Sequence, residues 1–578
     1  MFYVKNHKQA NICDPWGHLG PKRRKLLDKS WSGLFQQKIL PTLPVDALRK
    51  HYHEWNGRPT KELYSMIGMM ILQQMHDLTD DEAVEQFCFN IQYHFALNIT
   101  SPTDAAAYIS HKTLWTMRDK LSTEEIYQDI FKSTLKTLEK LFQADLRKQR
   151  MDSVHIQSNM RHLGRIGLFV RTIKKFLTNL RRHQRSLYDK IDGELVNRYM
   201  NKSNESLFAM VKPSESSQTL DQLARDLYAL TQRFSSVSSV HGMSSFMLLT
   251  RLFKEQCVVE QEDGELCRVV ARPNKEVPSD SLQNPSDPDA GYSNHKGQGY
   301  QVQVVENYTT GDDDKQLSLI THVAVESADQ HDANALLPAL EDLKERDMAP
   351  DELLADSLYG SDSNCEQAKA DHGVNVVAPV MPGNQKKMSL ADFTFDAKGR
   401  IVTCPRMRAP EKVKKTKKGF SAAFSAVVCL ACEDYDRCPV SRGKKSCYYR
   451  YKRKDIRLAL RRQHEDTPAF RDKYRYRAGV EATMSEYDRR TGVKHLRVRT
   501  MKAVRYAAVM KAIGLNIIRA GRRWRGQTAP RPPRCGVAPA CLALFCYVKD
   551  QILQQLLVSF AVLTTMLLMP KNRQEIRF

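Results

Sequence analysis

The order in which strand-like and helix-like segments follow one another between residues 148 and 379 constrains the fold more than any other feature. Around Arg150-Met151-Asp152-Ser153-Val154-His155-Ile156 apolar residues alternate, as in a half-buried strand. Two further strand patterns, Gly299 to Val305 and Leu317 to Val325, flank Thr309-Thr310-Gly311-Asp312, a hairpin signal. A helix from about Asp332 to Arg346, the strand Glu352 to Asp356, another helix and the strand Val374 to Pro379 complete the series. Three strands in meander order followed by helix, strand, helix and strand predict an α/β fold of the RNase H-like kind, with a mixed five-stranded sheet. Asp152 then falls on the first strand and Asp356 at the end of the fourth.

Ahead of this series, Pro15 to about Arg147 reads as helical. Thr60 after Pro59 opens a helix over Lys61 to Leu78, and Thr79-Asp80-Asp81-Glu82 and Ser122-Thr123-Glu124-Glu125 have capping-box spacing. The short helix Ser110 to Arg118 between them fits either a helix-turn-helix DNA reader or an ordinary solvated bundle element. The expected division is a helical N-terminal DNA-binding domain (1–147), a catalytic domain (148–525) with a helical insertion at about 160–295 and a Cys-rich one at about 384–450, and a tail (526–578). The Ser-, Pro-, Asp- and Asn-rich stretch 278–292 reads as a loop closing the first insertion. In the tail, the apolar stretch Leu556 to Pro570 is shorter than the roughly 20 residues of a membrane helix and reads as a packing helix.

A formal net charge of +23 in 578 residues points to a polyanion partner, nucleic acid first and a membrane surface second. The basic residues are grouped. Arg161 to Arg185 carries Arg161, Arg165, Lys174 and Lys175 among apolar residues and holds no acid, the pattern of a basic amphipathic helix. Arg489 to Arg525 is likewise free of acids and includes Arg490, Lys494, Arg497 and Arg499; its apolar side is expected to pack and its opposite side to track phosphates. The N-terminus has no apolar stretch of signal type, so a cytoplasmic, nucleoid-associated location is expected and the cysteines should be thiols or metal ligands.

Phosphoryl transfer requires dense positive charge around the attacking and leaving oxygens, which carboxylate-held divalent ions provide. Asp152 and Asp356, at matched positions of neighbouring strands, are candidates to hold them. Tyr474-x-x-Arg477-x-x-x-Glu481 adds a third acid from a helix, with Tyr474 and Arg477 on the same face to touch the cut strand. A solvated, ion-paired helix is the alternative for that segment taken alone.

The blocks Asp152 to Met160, Ala355 to Asn364 and Tyr474 to Tyr487 resemble the three active-site blocks of bacterial DDE insertion-sequence transposases, and the resemblance runs from Pro15 to Arg519. It implies Asp152, Asp356 and Glu481 as catalytic and metal-holding residues for two Mg²⁺ or Mn²⁺ ions. It further implies cleavage at element ends and transfer of the freed 3′-hydroxyls into target DNA. The expected partners are double-stranded DNA, as terminal inverted repeats and target, and further copies of the chain assembled on it, with no membrane. One position departs from the pattern: the seventh residue after Glu481 is Asp488, where similar chains carry Lys. That change favours an alternative, a catalytically impaired remnant serving as a DNA-binding protein.

The second insertion holds Cys404, Cys429, Cys432, Cys438 and Cys447. A Cys-x-x-Cys pair with two further cysteines nearby fits a structural zinc site of Cys404, Cys429, Cys432 and Cys438, and equally fits reduced structural thiols. Lys412, Lys414, Lys415, Lys417 and Lys418 form a basic loop in the same insertion, either a grip on DNA or a solvated loop.

Overall fold

The computed structural model describes residues 1–526 apart from 10–13, 202–207, 209–210, 263–264, 311–315, 382–387 and 418. The Gly311-Asp312 turn, Lys418, the first residues of the Cys-rich insertion and the tail with its Leu556 to Pro570 stretch lie outside the described residues.

The N-terminal region is helical as expected, built on α1 (Leu63–Met75), α2 (Asp80–Phe89), α3 (His111–Thr123) and α4 (Ile126–Phe142). The Thr79–Glu82 capping box forms at the start of α2, each side chain taking the other's backbone N–H. The Ser122–Glu125 box does not form. Helix α3 runs through Ser122 and Thr123, and Glu125 turns the chain in the left-handed region (φ 53°) before α4 begins without a side-chain cap. A capping box needs an extended residue at its first position, and Ser122 is still helical. Helix α1 is capped by Glu62, whose carboxylate accepts from the N–H groups of Tyr64 and Ser65, instead of opening at Thr60.

The chain then enters β1 (Lys148–Gln157), crosses a helical insertion, and returns through β4 (Gly291–Ser293), after the small hairpin β2 (Cys257–Glu262) and β3 (Glu265–Ala271). In the insertion α5 (Arg165–His183), α6 (Ser216–Phe234) and α7 (Ser244–Gln256) pack around Phe169, Phe176, Leu227 and Leu249 as a core of their own. The sheet continues with β5 (Gly297–Asn307), β6 (Ile320–Ser327), β7 (Glu352–Leu354) and β8 (Asn375–Val377), linked by α8 (Leu336–Glu345) and α9 (Asp362–His372). β5 pairs antiparallel with both β6 and β1, and β1, β7 and β8 run parallel. This is the mixed RNase H-like sheet in the order β6-β5-β1-β7-β8, with β4 added as a short sixth strand beside the start of β5. The 278–292 stretch is a structured strap. Its buried Asp287 accepts from the hydroxyls of Ser158 and Tyr300 and from the Thr500 N–H.

Beyond β8 the Cys-rich insertion forms small sheets from β9 (Thr394–Phe395), β10 (Ile401–Thr403), β11 (Lys412–Thr416), β12 (Gly419–Ser425), the short helix α10 (Ala426–Leu430), β13 (Ser441–Arg442) and β14 (Ser446–Tyr451). The chain returns through α11 (Arg453–Glu465) and α12 (Pro468–Tyr474) to a 3-10 turn (Arg475–Ala478), α13 (Gly479–Thr491) and α14 (Met501–Gly526). Helix α14 differs from expectation in part. Its apolar side lies in the main core as expected, with Val504, Ala508, Ile513 and Ile517 buried, but part of its polar side is used internally, while Arg505 and Arg525 stay exposed. Lys511 is buried against Asp77 and the Thr491 carbonyl, Arg519 against Glu306 and Glu486, and Arg522 reaches Glu486. Two glycines permit that depth, since a Cβ at Gly514 would stand 2.6 Å from the Met75 backbone and one at Gly521 would stand 2.8 Å from Trp31. One continuous core thus runs from Leu34 and Met70 through Val302 and Val304 to Ile513.

Candidate active site

The pairing of β1 with β7 brings the first two acids together. The parallel register ends at Arg150 opposite Leu354. Asp152 and Asp356 are each two residues past that last pair, so they leave the splaying strands at the same end and level. Asp152 stays paired with Val304 of β5 on its other side. Its carboxylate accepts from the Ser153 N–H at 2.9 Å and from Arg477 Nη2 at 2.8 Å. Asp356 lies just beyond β7 rather than within it and turns the chain, accepting from the N–H groups of Leu358 (2.8 Å) and Tyr359.

Burial pushes the Asp152 carboxyl above its usual range; the negative charges of Asp356 and Asp332 push the same way, while Arg477 pulls back. A carboxylate in that setting is stabilised by any cation that reaches it. Asp332 was not singled out from sequence. It follows β6 at the head of the turn into α8, and Gln303 donates to its carboxylate at 3.0 Å. An acid in the first residues beyond a sheet strand is the signal that would have found it. Lys296, in the β4–β5 turn, was not singled out either: its ammonium reaches the Ser153 hydroxyl at 3.4 Å, beside Asp152.

The third acid is carried by a segment pinned to the sheet. Tyr474, at the end of α12, donates to the Ala355 carbonyl at 3.3 Å, next to Asp356. The 3-10 turn then interrupts the helix that the Tyr-Arg-Glu spacing predicted, and Arg150 on β1 donates to the Tyr476 carbonyl at 2.6 Å. Gly479 makes that approach possible, because a Cβ there would stand 2.0 Å from the Arg150 guanidinium. Glu481 sits in the first turn of α13 with its side chain 68% exposed, and Arg477 Nη1 donates to it at 3.2 Å. Arg477 therefore bridges Asp152 and Glu481.

Among the described residues no three His, Cys, Asp or Glu side chains already stand in ligating arrangement. The donor set nevertheless suits a hard divalent cation: carboxylate oxygens only, one of them half-desolvated and repelled by its acidic neighbours.

The other predicted DNA-facing residues separate into two groups. Arg161, Arg489 and Arg490 are exposed. Arg165 instead bonds Gln256, Asn274 and the Arg272 carbonyl, Lys175 bonds the Pro285 carbonyl, and Arg497 pairs with Asp77. Arg499 reaches the Met160 sulfur, Lys494 faces Asp488 at 4.0 Å, and Lys174 is half-buried on α5. Asp488 itself accepts from the Lys494 N–H at 3.1 Å and shapes the turn after α13.

Residues 270–517 match the family model described as Transposase DDE domain, and residues 27–120 match the model described as Transposase domain (DUF772). The first match takes in Asp356 and Glu481 but begins after Asp152, whose place in the site follows from the β1–β7 register. No curated protein and no solved structure matches the chain. Among the described residues no helix is long and apolar enough to cross a membrane.

Proposed function

Because this chain belongs to the DDE superfamily of insertion-sequence transposases, with a transposase domain of its own ahead of the catalytic one, we propose that it cuts DNA at the ends of its element and joins the freed 3′-hydroxyls to target DNA. The observation that carries this reading is the matched position of Asp152 and Asp356, two residues past the last β1–β7 pair, with Glu481 joined to Asp152 through Arg477. Held by these three carboxylates, two Mg²⁺ or Mn²⁺ ions would supply the charge that polarises the attacked phosphate and stabilises the leaving oxygen.

The chain's own residues do the rest. Arg477, once its carboxylates are otherwise neutralised, presents a planar guanidinium fork suited to a phosphate. Tyr474 and Arg150 fix the segment that carries it. Lys296 beside Asp152, and Arg489 and Arg490 further along α13, supply positive charge for the DNA backbone without reading its sequence. In the first step a water oxygen attacks phosphorus and the bond to the 3′-oxygen breaks, leaving a 3′-hydroxyl and a 5′-phosphate. In the second the 3′-hydroxyl attacks a target phosphodiester and releases the target's own 3′-oxygen. Each step exchanges one P–O bond for another and needs no cofactor energy. Sequence-specific binding of the ends is assigned to the N-terminal helices, and copies of the chain pair the two ends.

The test is a divalent-ion-dependent nicking and joining assay on a duplex bearing the inverted repeat that flanks the gene. Wild-type chain is expected to nick and join. Asp152→Ala, Asp356→Ala and Glu481→Ala are each expected to bind the duplex and leave it uncut, and cleavage by Asp356→Ala overturns the assignment. A wild-type chain that binds the duplex without cutting identifies the impaired remnant instead.

A further inference from the structure

The cysteines of the second insertion are scattered over 44 positions, and the fold gathers them. Cys404 follows β10, Cys429 lies on α10, Cys432 and Cys438 are in the loop after it, and Cys447 is on β14. Cys404, Cys429, Cys432 and Cys438 all line one cavity of about 640 Å³, a different place from the carboxylate site. The thiols are near enough to act on one another electrostatically, Cys438 and Cys404 on Cys429, and Cys404 and Cys432 on Cys438. No disulfide joins them. Cys447 is buried on β14 and also acts on the Cys429 thiol.

The backbone around these thiols is turned to deliver them. Cys404 starts a tight turn in which its carbonyl accepts from Met407 N–H, with Met407 in the left-handed region (φ 57°), and its N–H donates to Arg408. The Cys432 N–H donates to the Cys429 carbonyl, and the Cys438 N–H to those of Asp434 and Tyr435, so the loop folds back on itself twice. Arg406, two residues after Cys404, clamps the loop with ion pairs to Glu433 (2.9 Å) and Asp434 (2.6 Å). The apolar core beneath is small, centred on Phe393, Phe424 and Tyr451. A unit of this size with so few large buried side chains is the kind that a structural metal completes.

We propose that Cys404, Cys429, Cys432 and Cys438 bind a structural zinc ion that ties the β10 turn to the loop after α10. The donor chemistry selects the metal. Residues 388–452 contain no histidine, so the available soft donors are thiols, and four thiolates around a tetrahedral centre suit zinc and exclude Mg²⁺ or Ca²⁺. The thiols release their protons to solvent on binding. Their sulfurs do not stand in ligating arrangement without the metal, and binding would draw them together across the cavity they share. Cys447 is the one left over, because it is buried on β14 and is not among the residues that line the cavity.

The proposal stands apart from the catalytic one, and its test reads metal content rather than cleavage. Full-length chain purified in reducing buffer without chelator is expected to carry about one zinc per chain by elemental analysis. Cys404→Ser and Cys432→Ser are expected to lose most of it, and Cys447→Ser to keep it. Should a serine variant fail to fold, Co²⁺ exchange into the wild-type chain gives the same answer, with the visible bands of a tetrahedral thiolate site expected. Wild-type chain that holds no zinc and takes up no Co²⁺ into thiolate coordination overturns the proposal, as do iron in its place or zinc lost with Cys447→Ser and kept with Cys404→Ser.

Discussion

Glu306 and Glu481 are both glutamates within reach of arginines near the central strand β1, yet their surroundings are opposite. Glu306 is fully buried, and its two oxygens accept from Arg150 (2.8 Å), Arg519 (3.0 Å) and the Thr483 hydroxyl. Glu481 is two-thirds exposed and meets one arginine, itself divided between two carboxylates. The first network joins β1, β5, α13 and α14 and leaves little for a ligand to do. The second leaves carboxylates whose charge is incompletely matched, which is the condition for binding something else. Two acid clusters of similar composition thus separate into scaffold and site by how fully each charge is satisfied.

Substitutions should divide along the same line. The largest effect expected is on chemistry: Asp152→Ala or Asp356→Ala lowers strand cleavage on the order of 10³-fold or more, comparable to losing a principal electrostatic contact in an active site, while thermal melts stay close to wild type. Next is Glu306→Ala, which takes from mostly buried Arg150 its carboxylate partner and leaves Arg519 with Glu486 of its two, and is expected to lower stability by about 3–5 kcal/mol, visible as a large drop in melting temperature or loss of soluble protein. An Asp152→Ala chain that melts like Glu306→Ala would erase the distinction.

A third, smaller effect depends on pH. Burial alone would raise the Glu486 carboxyl, but Arg519 and Arg522 outweigh it and hold it below the ordinary value of 4.5. A carboxylate depressed in the folded state adds stability that is present above its unfolded pKa and is lost as pH falls through the folded one. Glu486→Gln should therefore cost about 1.5–3 kcal/mol at neutral pH, and the gap to wild type should close on acidification below 4.5. Urea melts across a pH series read it, and a gap that stays constant would mean the ion pairs are not its source. The smallest effect concerns Arg477. If it competes with a cation, Arg477→Ala should bind Mn²⁺ more tightly without DNA, by up to about fivefold, the size of a single ion pair's contribution; weaker binding would make Arg477 part of the cation site instead.

The scaffold was legible in the sequence where information is local. Alternation around Asp152 gave β1, Thr79 and Glu82 gave a cap, and the succession of strand and helix patterns gave the sheet order. What was not legible depends on partners far along the chain. Lys511 and Arg497 look like a phosphate-tracking face until Asp77, more than 400 positions away, claims both. The basic side of α5 is partly claimed in the same manner, with Arg165 held by Gln256 and Arg272. In the site, the acids could be named from strand ends and spacing, but the Arg477 bridge could not. Arg477 lies in the 3-10 turn at 475–478, and the Tyr476 carbonyl of that turn accepts from Arg150 on β1, a partner more than 300 positions away.

The central claim is that Asp152, Asp356 and Glu481 exchange the Arg477 guanidinium for divalent cations when DNA is engaged. Anomalous scattering from a crystal of the chain with Mn²⁺ and an element-end duplex tests it directly. Mn²⁺ peaks within about 2.0–2.3 Å of the Asp152 and Asp356 oxygens, with Arg477 turned from Asp152 toward a phosphate, are the expected result. DNA seated at this rim with Arg477 still spanning Asp152 and Glu481, and Mn²⁺ absent or bound elsewhere, would contradict it.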